Sequence, residues 1–243
     1  MNKPEDRPFD LSEKGRGEGG ETASLDRRLF MQFLSFGGLD SALESRLGRD
    51  LENFSATAVL YSDINDYGGA GLLTVSENPD FFVTELRRFL SDSSFAVLKP
   101  KPEYTMLGRT YSLGYEKDLE KTLISGPMRK ILDPGLAWAI WYPLRRAKAF
   151  ETLAPEEQRA VLAEHGKIGF QFGDAGYAKD IRLASHGLDK NDNDFVIGIL
   201  GKDLHPLSAL VERMRKTKQT SRYLESLGPF FVGKKLFSTG QAI

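Results

Sequence analysis

The feature that most constrains the fold is the succession of two apolar periodicities in the second half of the chain. Residues 136–144, LAWAIWYPL, alternate in the manner of a strand, with Trp138, Ile140 and Tyr142 on one face and Ala137, Ala139 and Trp141 on the other. Residues 155–166, PEEQRAVLAEHG, switch to helical spacing. They open on proline and two glutamates, which suit a helix start, and close on glycine. Strands follow at 177–185 and 194–200, separated by the polar turn GLDKNDN. A second helix is expected over 206–224 and a last strand over 229–237. The order β-α-β-β-α-β is the ferredoxin-like arrangement.

The first half carries a looser version. Residues 29–36, 56–64 and 71–76 read as strands. In residues 78–90, Phe82, Leu86 and Phe89 recur at i, i+4 and i+7, which predicts a helix. An extended stretch over 103–116 and a short helix over 117–124 lead to turn chemistry at Gly126–Pro127 and at Asp133, Pro134 and Gly135. The expectation is an α+β protein of two tandem ferredoxin-like half-domains, residues 25–126 and 127–243, with the boundary at those turns. Residues 1–24 are acidic, basic and glycine-rich with almost no apolar partners, so they read as a disordered tail.

Composition narrows the chemistry. The chain has 243 residues, 40% of them hydrophobic, enough for a sizeable core once the polar N-terminus is set aside. A net charge of −1 gives no sign of a nucleic-acid partner or of an anionic membrane surface. There is no cysteine, so disulfides, thiolate metal sites and cysteine nucleophiles are excluded. The N-terminus lacks the apolar core of a secretory signal and no later run approaches a membrane span, so a cytoplasmic protein is expected. No glycine-rich phosphate loop or nucleophile elbow occurs.

There are three histidines. His165 lies four residues after Val161 and three after Leu162, on one face of the helix expected over 155–166. Spacing alone leaves two roles open: a core or helix-terminal histidine, or an axial ligand, since an imidazole on a buried helix face is what haem iron takes. His186 falls in a turn and His205 before a helix, both structural or surface positions. Beyond Tyr142, at the end of its strand, stands a basic run of Arg145, Arg146 and Lys148, with Arg129 and Lys130 upstream. Such cations form a solvated surface, or they hold the carboxylates of an anionic ligand.

In this order and spacing, the segment from Arg129 to Gly233 resembles the C-terminal, haem-binding half of the chlorite dismutase family, and most closely its coproheme decarboxylases. The residues that carry the resemblance are Tyr142, Pro143, Leu144, Arg145 and Arg146, then Glu164, His165 and Gly166. Gly187, Leu188 and Asp189, Asp194 and Phe195, Glu212 to Arg215, Arg222 and Tyr223, and Gly228 to Phe230 follow. The resemblance implies haem, as coproheme III or haem b, with His165 on the iron. It implies propionate contacts from Arg129, Arg146 and Thr220, and a homo-oligomer, typically a pentamer. As in the decarboxylases, Tyr142 would be the redox-active side chain in a hydrogen peroxide-dependent conversion of coproheme to haem b. A chlorite-degrading or peroxidase-like haem enzyme, or a haem carrier without turnover, is the alternative.

Two departures bear on this. Phe150 and Glu151 replace the usual aromatic pair containing tryptophan. The interval from His165 to Phe195 is longer than in the family, so Ala178, Lys179, Asp180 or Arg182 takes the distal place according to the alignment. Chlorite dismutation uses an arginine there, which makes Arg182 the candidate for that chemistry.

Overall fold

The computed structural model describes residues 9–240. Twelve strands occur in chain order: β1 Glu13–Arg16, β2 Thr22–Leu25, β3 Phe30–Gly37, β4 Thr57–Asp63, β5 Gly69–Ser76, β6 Lys99–Pro100, β7 Met106–Thr110, β8 Trp138–Arg146, β9 Lys179–Ala184, β10 Phe195–Gly201, β11 Leu224–Leu227 and β12 Phe231–Thr239. The α-helices are α1 Ser41–Glu52, α2 Glu85–Asp92, α3 Gly126–Leu132, α4 Lys148–Glu151, α5 Pro155–Asp174, α6 Leu204–Arg215 and α7 Lys218–Arg222.

Local chemistry explains the less obvious elements. Helix α1 starts where the Asp40 carboxylate accepts the Leu43 amide at 2.7 Å, and it buries Leu43, Leu47 and Leu51 along one stripe. Pro127 does not make a turn: a π-helical segment, Lys121–Ser125, runs directly into residues 126–132, which become α3, and the wider turn there tolerates a proline's missing amide. Helix α5 runs past Gly166 to Asp174. A glycine inside a helix costs about 1 kcal/mol relative to alanine, too little to end a helix whose far side keeps packing through Phe172. The expected single helix over 206–224 is broken at Thr217 into α6 and α7.

The α+β character holds, but the two tandem ferredoxin-like half-domains of barrel type are overturned. One ten-stranded sheet runs through both halves in the order β10-β9-β7-β3-β5-β4-β12-β8-β11, with β6 beside β3 and a further pairing of β10 with β8. Its strands cross the expected boundary twice. In one crossing β7 pairs β9, with Arg109 opposite Ala184; in the other β4 pairs β12, with Asp63 opposite Gly233. The physical reason is edge satisfaction. A half-domain with its own sheet would leave the backbone groups of β4, β7, β9 and β12 unpaired, and pairing across the boundary removes those edges.

The central core draws on both halves. Phe33 and Phe231 lie 4.7 Å apart between ring centroids, and Phe33 stacks on Trp141 at 6.0 Å. Glycine makes room for them: a Cβ on Gly71 would stand 2.6 Å from Phe231, and one on Gly198 2.5 Å from Trp141. A second cluster packs α1 and α2 on the sheet. A third sets α5 and α6 over Ile140, Tyr142, Phe195 and Ile199 of β8 and β10.

The N-terminal segment read as a disordered tail also differs. From Glu13 to Leu25 it is a two-stranded hairpin, Glu13 opposite Leu25. The Glu13 carboxylate accepts from Arg109 at 2.8 Å and from the Ser112 amide at 2.9 Å, so polar anchoring replaces the missing apolar contacts. The first eight residues of that segment lie outside the described residues. Among the described residues no helix is long and apolar enough to cross a membrane.

Candidate functional site

Helix α5 carries Val161, His165, Ile168 and Phe172 at i, i+4, i+7 and i+11, one stripe turned toward the third cluster. It packs on α6, α7 and β9. The half-buried His165 ring is hydrogen-bonded through Nδ1 to Thr217 Oγ1 at 3.1 Å, which leaves Nε2 as the atom able to bind a metal. Burial, reinforced by the positive charge of Arg146, holds the imidazole below its ordinary pKa and so keeps it in the neutral, ligating form.

Across from α5, the sheet supplies a row of three side chains. Tyr142 on β8 is in register with Ile197 on β10, and Ile197 is in register with Arg182 on β9. Cross-strand partners leave the same face of a sheet, so Tyr142, Ile197 and Arg182 share one. Ile197 lies in a strand paired on both sides yet is only half-buried, so this face is open at that point. Tyr142 is 6% exposed and stacks on Phe230, with ring centroids 4.5 Å apart and planes 18° from parallel. Burial pushes its phenol well above the ordinary value, so it keeps its proton. Arg182 is exposed, with its Nε 3.2 Å from Asp180.

Arg146 ends β8 with its guanidinium over the rings of Phe150 at 4.6 Å and Phe195 at 4.7 Å. Its Nε is buried without a hydrogen-bond partner, a donor in want of an acceptor. Arg129 is exposed in the last turn of α3 and Thr220 is half-buried on α7. Neither makes a side-chain hydrogen bond or ion pair with the other site residues among those described. Of the distal candidates, Ala178 is buried just before β9. Lys179 is in register with Leu200 of the central core, on the other face of the sheet. Asp180 pairs in the neighbouring row with Ile199, and Arg182 stands in the row of Tyr142.

Two residues escaped the sequence reading. Thr217 reaches the site because the chain breaks between α6 and α7, which periodicity alone does not reveal. Tyr111, just after β7, rests on Phe195 at 5.8 Å between centroids. Burial raises its phenol. The Arg146 guanidinium lies over the same Phe195 ring, so Tyr111 and Arg146 border one apolar surface. Phe195 and Ile197 make an apolar floor, with Arg182 in the row of Ile197 and Arg146 over Phe195 with its donor unmet. The Arg146 charge is felt at the His165 imidazole, whose Nε2 is the nitrogen left for a metal. That donor set fits a flat apolar macrocycle with a metal at its centre and carboxylates at its rim.

The chlorite dismutase family model matches residues 74–236. A search of curated proteins gives no match. Among solved structures, a haem-binding protein from Thermus thermophilus is similar with 19% identity and a TM-score of 0.68, covering 87% of this chain and 92% of its own. A mutant chlorite dismutase from Candidatus Nitrospira defluvii in complex with cyanide is similar with 16% identity and a TM-score of 0.67, again over 87% and 92%. The same organism's chlorite dismutase in complex with imidazole matches over the same shares, with 16% identity and a TM-score of 0.62. At such identities these structures establish a shared fold, and the family model, which spans well over half of the sequence, establishes descent: the chain belongs to the chlorite dismutase family.

Proposed function

We propose that the protein is a haem-dependent oxidoreductase acting on a small oxygen-rich oxidant, chlorite or hydrogen peroxide, with His165 as the iron ligand. The observation that carries this reading is the pairing of a free Nε2 on α5 with the row Tyr142, Ile197 and Arg182 on the sheet face turned toward it. Bound haem would supply the redox chemistry. The remaining work falls to this chain's own groups. Arg182 presents a fixed positive charge to an incoming anion. Arg146, with its unmet Nε donor, suits a propionate carboxylate. Phe195 and Ile197 offer an apolar floor for the macrocycle to cover. The test is to mix the haem-loaded protein with chlorite and follow dioxygen and chloride; release of neither ends the chlorite reading.

A second reading, peroxide-dependent decarboxylation of coproheme III to haem b, is favoured by one specific observation. The Tyr142 phenol is buried and protonated in the same row, so it can give up a hydrogen atom without first losing a proton to solvent. Ferric coproheme with hydrogen peroxide, followed by product mass, separates the two readings.

A further inference from the structure

We infer that Thr217 is a positioning residue that decides which ring nitrogen of His165 carries the proton. A threonine hydroxyl has one proton to give. The Thr217 hydroxyl gives it to the Met214 carbonyl at 2.7 Å, closer than the 3.1 Å to His165 Nδ1. With that proton committed, Oγ1 can meet Nδ1 only as an acceptor, so Nδ1 bears the hydrogen and Nε2 keeps a bare lone pair. Thr217 is 2% exposed, which removes water as a competing partner. Its own place is fixed by the start of α7, where its carbonyl accepts the Ser221 amide at 2.9 Å and the Ser221 hydroxyl at 2.8 Å.

The neighbouring carboxylate is kept out of this arrangement. Glu164 Oε2 accepts the Lys218 amide at 3.2 Å, so consecutive residues of α5 clasp consecutive residues at the start of α7: Glu164 with Lys218, His165 with Thr217. The acceptor behind the imidazole is therefore a neutral hydroxyl. A carboxylate there would draw the Nδ1 proton and make the ring a more electron-rich ligand; a hydroxyl orients the ring and leaves it neutral. This second consequence rests on the reading of His165 as the iron ligand; the tautomer itself does not.

The experiment uses the full chain without cofactor. Long-range 15N–1H correlations of the His165 ring distinguish its protonated nitrogen from its bare one. Wild type and Thr217→Ser should both show hydrogen on Nδ1. Thr217→Val, which keeps the branched shape and removes the acceptor, should move it to Nε2. Added ferric haem should then bind Thr217→Val about tenfold more weakly, with Thr217→Ser restoring the affinity. In the ferrous haem-bound protein, Thr217→Asp should raise the iron–histidine stretching frequency and lower the reduction potential. Hydrogen on Nε2 in neutral wild type, or an unchanged tautomer in Thr217→Val, overturns the inference. Should the valine variant fail to fold, the wild-type spectrum alone decides. Failure of the haem reading shows elsewhere, as a ferric haem spectrum indifferent to the loss of His165.

Discussion

Tyr142 and Arg182 stand one strand apart on the same face of the sheet, each in register with Ile197 between them. A phenol that keeps its proton and a guanidinium that keeps its charge thus address one patch. The two proposed reactions lean on different members of this pair, and single substitutions separate them.

Tyr142→Phe preserves the ring and its stack on Phe230, so folding stability should stay within about 1 kcal/mol of wild type. Coproheme should still bind. Conversion to haem b with hydrogen peroxide should nearly vanish, because phenylalanine has no phenolic hydrogen. Mass analysis of the porphyrin is the check, and normal conversion defeats the role assigned to the phenol.

Arg182→Gln removes an exposed charge whose partner, Asp180, is also exposed, so stability should change by less than about 0.5 kcal/mol. Dioxygen release from chlorite should fall about a hundredfold if the guanidinium stabilises the reacting anion. An oxygen electrode reads this directly, and full activity in the variant removes Arg182 from the site.

His165→Ala should leave the fold intact and abolish the ordinary ferric Soret spectrum on haem addition. A pH dependence follows in the cofactor-free protein. The pKa of His165 is lower folded than unfolded, so the unfolded chain binds more protons near pH 6.5. Its contribution to stability is complete above that ordinary value and is lost as pH falls toward the lowered one. Urea midpoints measured from pH 8 down to pH 5 should therefore drop less steeply in the alanine variant.

Gly71→Ala should destabilise by about 1–3 kcal/mol, since its Cβ meets Phe33 and Phe231, which are themselves confined by Trp141. The denaturant midpoint should fall with an unchanged slope. A midpoint equal to wild type would mean that the aromatic cluster yields freely.

Deleting residues 1–25 removes the hairpin and the two bonds that Glu13 makes to Arg109 and Ser112. A loss of about 1–3 kcal/mol is expected, measured as a lower thermal midpoint. Glu13→Gln should reproduce part of it.

Most strands were legible because each has a buried face written in alternating or continuous apolar residues, as at Trp138–Leu144 and Phe195–Leu200. Helix α1 was not read: Leu43, Leu47 and Leu51 are single apolar residues among charges and a glycine, and only Asp40 marks the start. The helix face of His165 and the strand face of Tyr142 were legible from periodicity, whereas the roles proposed for them came only with the family resemblance. The row joining Tyr142 to Arg182 was not, because register between strands depends on pairings that sequence spacing does not encode. Thr217 was hidden for a related reason. It matters through a contact made 52 residues away along the chain.

The run of α5 past Gly166 has a consequence for how the imidazole moves. Had the helix ended there, His165 would sit in a terminal turn, which opens by fraying at almost no cost in free energy. With α5 continuing to Asp174, its amide is enclosed by turns on both sides. Displacing the ring by backbone motion then requires opening the middle of the helix. Hydrogen exchange at the His165 amide should accordingly be as slow as at Ile168, and the nitrogen offered to a metal should hold its position whether or not one is bound.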